Sequence, residues 1–270
     1  MTLHLSDPQT DAAVDIEPER GGLVTRFDLA GRRILYLDEA TLRDPTKNVR
    51  GGIPVLFPSP GKLVGDTWQA AGRHGAMKQH GFARNLPWQV VRSSERAATL
   101  ELRSDDATRA QYPWDFTVEQ TIGLRDRALS LQQTITNRSD TAMPFGFGFH
   151  PYFHVRDADK AATRVDTDAT RAFDNVTKQD VDLNRDLTRP EVDLHLLDHG
   201  RPESALITPG GTIGLRASND YHHWVIWTVA GKDFVCLEPW TSPGNALNTG
   251  THLITLAPGE VRTLWIEITA

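Results

Sequence analysis

Four segments of the chain concentrate ionisable side chains among glycine, proline and aromatic residues: 48–63, 78–88, 144–155 and 235–245. In the third of them, His150 follows three alternating phenylalanines and precedes Pro151. Because side chains alternate along a strand, we expect His150 on the face opposite Phe145, Phe147 and Phe149. An imidazole has an unperturbed pKa of about 6.5, which suits a general acid near neutral pH. The alternative is a hydrogen-bonded structural histidine.

Glu238 ends an apolar run and is followed at once by Pro239 and Trp240. A carboxylate at such a position is partly desolvated, which raises its pKa and makes it a better base. The alternative is a glutamate that emerges into solvent at the end of a strand. Cys236, the only cysteine, shares strand parity with Glu238 and could face the same side, although buried cysteine is usually inert packing.

Two arginines adjoin the first two segments. Arg50 precedes Gly51-Gly52, and Arg84 follows His80 by four residues. Either guanidinium could donate a bidentate pair of hydrogen bonds to substrate oxygens or a phosphate, or could be an ordinary surface or salt-bridging group.

The spacings give no support for a metal or a nucleotide. No H-x-H or H-E-x-x-H spacing is present, so we expect no metal. The glycine-rich stretches match neither G-x-G-x-x-G nor a P-loop. The pair His222-His223 heads an apolar run and is expected to cap the end of a strand.

The elements that must position these residues are strands, since much of the chain alternates apolar and polar residues at period two. Residues 116–135 predict two strands joined by a charged turn at 125–127, and residues 223–239 predict two core strands broken at 230–232. Residues 156–200 are rich in Asp, Thr and Arg, which predicts an excursion of short strands and loops at a functional rim. We therefore predict an all-β chain, a large antiparallel β-sandwich forming a single domain over 1–270.

Charge and composition exclude several classes of function. The chain has 29 Lys+Arg against 35 Asp+Glu, a net charge of -6, which argues against nucleic acid or an anionic membrane as a partner. No stretch approaches the roughly 18 apolar residues of a membrane span, and the beginning of the chain lacks signal-peptide features. We expect a cytoplasmic protein.

The four segments together resemble one known family. The matching stretches are RGGIPVLFP at 50–58, HGFAR at 80–84, FHPYF at 149–153 and EPW at 238–240. They resemble the aldose 1-epimerase (mutarotase) family, nearest its branch of hexose-6-phosphate mutarotases and aldose 1-epimerase-like proteins. The resemblance implies the galactose mutarotase-like supersandwich fold, in agreement with the strand pattern.

The resemblance also implies roles for individual residues. Glu238 would be the catalytic base and His150 the catalytic acid, with His80 as a second imidazole on the side of the ring oxygen. Arg50 and Arg84 would be on the substrate side. A sugar-binding aspartate is implied at Asp193, but the Arg that often follows it is Leu194 here, so Asp198 is a competitor.

The implied activity is that of an isomerase that interconverts the α and β anomers of a hexose or hexose 6-phosphate without a cofactor. The alternative is a non-catalytic sugar-binding or sensing protein on the same scaffold, and a glycosidase would need two facing carboxylates. Of the two substrate classes we favour a sugar phosphate. A neutral hexose would be held by hydrogen bonds and by stacking on Phe149 or Trp240. We expect a monomer or a weak homodimer.

Overall fold

The computed structural model describes residues 1–270, and strands dominate it. The strands are β1 (Leu3–Asp7), β2 (Ala12–Glu17), β3 (Leu23–Leu29), β4 (Arg32–Arg33), β5 (Val55–Leu56), β6 (Thr67–Ala70), β7 (Arg73–Ala76), β8 (Gln89–Ser93), β9 (Ala97–Arg103), β10 (Phe116–Arg125), β11 (Ala128–Asn137), β12 (Met143–Phe145), β13 (Gly148–Phe149), β14 (Tyr152–His154), β15 (Arg164–Asp166), β16 (Arg171–Asp174), β17 (Gln179–Asp182), β18 (Glu191–Leu196), β19 (Glu203–Thr208), β20 (Gly211–Ala217), β21 (His223–Val229), β22 (Phe234–Trp240), β23 (Ile254–Leu256) and β24 (Val261–Thr269). The helices are short: α1 (Glu39–Arg43), α2 (Asp106–Arg109) and α3 (Ala246–Thr249), with 3-10 turns at Pro18–Arg20, Val64–Asp66, Ala83–Asn85 and Asp157–Ala162. None of the helices has the length and apolar character needed to cross a membrane.

Two large antiparallel sheets form the architecture. The back sheet has the strand order β15-β19-β20-β24-β11-β10-β9-β8, and the cleft sheet has the order β17-β16-β18-β21-β22-β13-β5, with β14 also paired to β22. The smaller sheets are β1-β2-β3-β4, β12-β23 and β6-β7. The prediction of an all-β, antiparallel sandwich is therefore confirmed.

Both hairpins expected from the sequence are present. β10 pairs with β11 from Phe116 opposite Asn137 to Arg125 opposite Ala128. The loop between them is Asp126-Arg127, both with positive φ, as a two-residue turn of this kind requires. β21 pairs with β22 at the centre of the cleft sheet, which explains why this stretch is more continuously apolar than the others.

Alternation divides the cleft sheet into a core face and a cleft face. On β22, Val235 and Leu237 belong to the main apolar core, which runs from Leu3 to Ile268. Cys236 and Trp240 belong to two small clusters that are separate from that core. Every residue of β22 is buried, because the core covers one face and the walls of a cleft shield the other.

The polar segment 156–200 contributes strands to the same sheet. β16, β17 and β18 extend the cleft sheet beyond β21, and β15 joins the back sheet. Several of their residues line the cleft, so the prediction of short strands at a rim is consistent with the observed topology.

Candidate active site

Three parallel rows of side chains on the cleft sheet form the floor of a cleft of about 860 Å³. The register places residues of neighbouring strands directly opposite one another, and opposed residues share a face. The first row is Trp240 and His223; the second is Glu238, Val225, His195 and Phe173; the third is Cys236, Trp227 and Asp193. A volume of this size is typical of clefts that hold small molecules.

The register also brings His150 to Glu238. Gly148 lies opposite Trp240 and Tyr152 lies opposite Cys236, so His150, midway between β13 and β14, faces Glu238 on β22. The His150 Nδ1 atom is 3.4 Å from Glu238 Oε1, within ion-pair distance. Neither His150 Nδ1 nor Glu238 Oε2 has a hydrogen-bond partner, although both atoms are buried. Buried polar atoms are normally satisfied, so this pair has capacity left for a ligand.

Burial sets the protonation of this pair. It lowers the pKa of the His150 imidazole well below the ordinary 6.5, and nearby His80 and Arg84 lower it further. Burial raises the pKa of the Glu238 carboxyl well above the ordinary 4.5, and nearby Asp193 raises it further. At pH values above the lowered pKa of His150 and below the raised pKa of Glu238, the pair holds one proton, on one member or the other.

His80 lies beside the pair on a strained turn. Its φ is 71° and that of Gly81 is 69°, a left-handed conformation that is uncommon for a histidine. His80 Nδ1 contacts the Pro60 carbonyl, and Nε2 is 3.2 Å from Gln79 Nε2. Burial lowers the pKa of His80 to about 3. The imidazole is therefore neutral, donating from Nδ1 and accepting at Nε2, with its ring centroid 5.7 Å from that of His150.

The two arginines reach the cleft without carboxylate partners. Neither Arg50 nor Arg84 forms an ion pair, while Arg84 Nη2 donates weakly to the Gln79 carbonyl at 3.3 Å. The Arg84 Nε atom is buried with no partner, and burial lowers the pKa of this guanidinium. The exposed Arg50 guanidinium lies 5.4 Å from the centroid of the Trp227 ring. Lys62 also lines the cleft.

Asp193, and not Asp198, lies in the cleft. Asp193 Oδ2 accepts a hydrogen bond from Asn175 Nδ2 at 2.7 Å, and its Oδ1 is 3.4 Å from His195 Nε2. Burial raises the pKa of Asp193, but the hydrogen bonds from His195 and Asn175 outweigh it, so the net shift is downward. Asp198 instead accepts hydrogen bonds from the backbone of residues 170 and 171 outside the cleft.

The structure corrects one of the sequence predictions and adds to another. Phe149 was expected to offer a stacking surface, but its ring is fully buried in the main core, on the face opposite His150. His223 was expected at the end of a strand, and it does begin β21; its side chain also lies in the cleft, with Nε2 2.8 Å from His195 Nδ1.

Several residues that line the cleft belong to none of the motifs recognised in the sequence. His195, Trp227 and Asn175 line the cleft with the six residues named from the sequence, which are Glu238, His150, His80, Arg50, Arg84 and Asp193. The parity of Asp193 and His195 on one strand was the only available signal, since both must lie on the same face.

One group of side chains could hold a metal. His150, Cys236 and Glu238 each offer a donor atom, and these atoms lie within 4.8 Å of one another. All three side chains are buried, and burial raises the pKa of the Cys236 thiol well above 9.0. A protonated thiol does not favour metal binding, and we assign no metal to this group.

Comparison with known proteins identifies relatives along the whole chain. Residues 14–269 match the family model described as aldose 1-epimerase. A Cenchrus ciliaris protein provisionally named a glucose-6-phosphate 1-epimerase is 26% identical over 272 aligned positions, covering 89% of this chain and 76% of that protein. A Salmonella typhimurium protein of the same name is 34% identical over 89 positions, or 32% of this chain and 27% of that protein.

Solved structures share the fold. A protein from Synechocystis sp. PCC 6803 is 39% identical, with a TM-score of 0.95 over 100% of this chain and 95% of that one. A galactose mutarotase-like protein from Lactobacillus casei is 22% identical, with a TM-score of 0.80 over 100% of this chain and 99% of that one. The second likeness is evidence for the fold alone.

Proposed function

The chain belongs to the aldose 1-epimerase family, and from this premise we propose that it interconverts the α and β anomers of a hexose 6-phosphate. The observation that carries the proposal is the opposed, unsatisfied pair of His150 and Glu238 at the floor of the cleft. Membership of the family supports an isomerase, while the reaction, the substrate and the residue roles are our own inference.

The proposed chemistry moves two protons and breaks one bond. Glu238 takes the proton from the anomeric hydroxyl while His150 gives a proton to the ring oxygen, and the C1–O5 bond opens to the aldehyde. Rotation about C1–C2 then presents the other face of the carbonyl. Reclosure returns both protons, so the two groups end as they began.

Burial of both groups suits this cycle. The open-chain stage has Glu238 protonated and His150 neutral, and burial favours that uncharged arrangement through both pKa shifts. The mutual attraction of the charged forms at 3.4 Å favours the starting arrangement. The two effects oppose each other.

The guanidinium groups of Arg84 and Arg50, which lack carboxylate partners, support a phosphorylated substrate. Leaving a buried arginine without a carboxylate is costly, and an anion in the cleft would relieve that cost. Arg84 meets this description through its buried, unpartnered Nε atom, and the exposed Arg50 and Lys62 add two further cations to the cleft. A phosphate accepts bidentate hydrogen bonds from a guanidinium, which a neutral hydroxyl does not match. The proposed cytoplasmic location agrees with such a substrate.

A direct assay tests the proposed function. Freshly dissolved α-glucose 6-phosphate and α-glucose are followed by polarimetry or NMR exchange with and without the protein. We expect acceleration of both anomerisations, with the higher kcat/KM for the phosphate. Absence of any acceleration across a panel of free and phosphorylated aldoses, with binding of the same sugars retained, would favour the non-catalytic sugar-binding alternative.

A further inference from the structure

Two histidines face each other in the cleft and take no part in the acid–base pair. His195 lies on β18 and His223 begins β21, and the two strands are hydrogen-bonded neighbours. His195 Nδ1 is 2.8 Å from His223 Nε2, and their ring centroids are 5.0 Å apart. Both rings lie against Trp240, at centroid distances of 5.5 Å and 5.6 Å. They therefore form a fixed wall beside the catalytic pair.

Asp193 anchors this wall from the other side. His195 Nε2 lies 3.4 Å from Asp193 Oδ1, and Asn175 donates to Asp193 Oδ2 at 2.7 Å. Lys178 in turn donates to Asn175 Oδ1 at 2.5 Å, which fixes the orientation of the amide. The contacts run from Lys178 at the surface to His223 in the cleft, so each side chain is held by the next.

The chain of contacts fixes which atoms donate. A carboxylate only accepts, so His195 carries a proton on Nε2, toward Asp193, and we take its Nδ1 atom as the acceptor in the contact with His223. His223 must then donate from Nε2 to His195, which leaves His223 Nδ1 as an acceptor. Burial is the main cause that lowers the pKa of His223 to about 3, so this ring stays neutral.

The acceptor of His223 has no partner in the protein. Its Nε2 atom makes the only side-chain hydrogen bond of this residue, and Nδ1 is not among the polar atoms sealed from solvent. Since His223 lines the cleft, Nδ1 is available to a ligand there.

We propose that His223 Nδ1 accepts a hydrogen bond from one secondary hydroxyl of the sugar ring, at C2, C3 or C4, and that His223 is thereby a specificity-determining residue. His195 is a positioning residue, which sets the tautomer of His223 and orients the Asp193 carboxylate. This inference rests on the proposed function: with C1 and O5 at the catalytic pair and the phosphate at the arginines, only these hydroxyls remain to face the wall.

Such a wall would discriminate against sugars that lack the hydroxyl. An acceptor that the bound sugar covers without giving it a donor costs more than the hydrogen bond itself, so deoxy analogues are rejected. For one uncharged hydrogen bond we expect a loss of roughly tenfold in kcat/KM. A deoxyfluoro analogue, in which fluorine cannot donate, should be rejected as strongly as the deoxy sugar.

The test compares His223→Phe with the wild type on glucose 6-phosphate and its 2-, 3- and 4-deoxy and deoxyfluoro analogues. For each sugar, the kcat/KM of the variant is divided by that of the wild type, and this ratio cancels the intrinsic reactivity of the analogue. We expect the variant to lose about tenfold on the parent sugar, and to lose nothing on the one analogue that lacks the recognised hydroxyl. The matched control is His222→Phe, the neighbouring histidine that does not line the cleft, which should leave every ratio at one.

A second variant separates the positioning role. His195→Gln removes the imidazole but keeps a polar side chain, and we expect it to raise KM for the parent sugar with a smaller change in kcat. If His223→Phe lowers turnover of the parent and all analogues equally, His223 is structural and the proposal is wrong. If the wild type itself is inactive on every sugar, the proposed function fails first, and the two failures are thereby distinguished.

Discussion

The rings of His150 and Tyr152 stack face to face, with their centroids 4.6 Å apart and their planes 7° from parallel. Tyr152 is itself held edge-on by Trp227 and Phe234 on the neighbouring strands of the cleft sheet. The orientation of the proposed acid is thus set by packing and not by a hydrogen bond, because His150 Nδ1 has none.

This stacking predicts that Tyr152→Leu lowers kcat about tenfold, since loss of the flat contact frees the imidazole to leave the position facing Glu238. KM should change little, because Tyr152 does not line the cleft. Tyr152→Phe keeps the aromatic ring and should therefore retain the wild-type kcat. Equal loss in the two variants would point to the hydroxyl and against the stacking.

Removal of either member of the proposed catalytic pair, Glu238 or His150, should nearly abolish activity. Glu238→Gln and His150→Asn are each expected to lower the anomerisation rate by about two to four orders of magnitude, the usual scale for a positioned acid or base. Glu238→Gln is isosteric, His150→Asn leaves a smaller polar side chain, and circular dichroism checks that the fold persists in both. Cys236→Ser, on the same strand and face, is the control and should keep near-wild-type activity.

The pH profile should reflect the shifted pKa values of this pair. Activity requires one proton on the pair, so it falls when a second proton is added at low pH. Because the pKa of His150 is lowered, that acidic limb should lie below pH 6.5. The profile of kcat with unphosphorylated glucose avoids titration of the substrate phosphate. An acidic limb at or above pH 6.5 would contradict the burial of His150.

Much of this site follows from the sequence by alternation alone. Parity places Phe149 on the opposite face from His150, so the same pattern that located the histidine already excluded the phenylalanine from the cleft. The role of parity is equally direct at Glu238, which shares a face with Trp240 on β22.

The His195–His223 contact could not be predicted in this way. It depends on which residues of β18 lie opposite β21, two strands separated by the β19–β20 hairpin of the other large sheet. Register between distant strands is set by tertiary packing, and no local pattern in the sequence encodes it.

Acid sensitivity of the fold should follow from the buried histidines. The pKa of both His80 and His223 is about 3 in the folded protein, against an ordinary value of 6.5. Between these values the unfolded chain binds more protons, so the free energy of unfolding falls as pH falls. Their contribution is complete above pH 6.5, and each group adds a slope of up to about 1.4 kcal/mol per pH unit below it.

Urea unfolding at several pH values below neutrality measures this slope. His223→Gln should reduce the slope of the unfolding free energy against pH by the contribution of about one titrating group. His74→Gln, at an exposed position, should leave the slope unchanged. Parallel curves for His223→Gln and the wild type would show that His223 is not held neutral in the folded protein.

The guanidinium groups without carboxylate partners predict that the protein prefers the charged glucose 6-phosphate to neutral glucose. Arg84→Ala should raise KM for glucose 6-phosphate by roughly 10- to 100-fold, the scale of losing a hydrogen bond to a charged group. KM for glucose should stay nearly constant, because a neutral sugar has no anion for Arg84 to bind. Arg92→Ala, which removes a guanidinium outside the cleft, is the matched control.

Salt provides an independent check of the same prediction. A charged contact weakens as ionic strength rises, so KM for the phosphate should increase with salt in the wild type and less steeply in Arg84→Ala. Arg50→Ala should give a smaller effect, since Arg50 is exposed and already rests on Trp227. A clear preference for glucose over glucose 6-phosphate, unchanged in Arg84→Ala, would contradict the assignment of a phosphorylated substrate. It would leave the epimerase proposal intact.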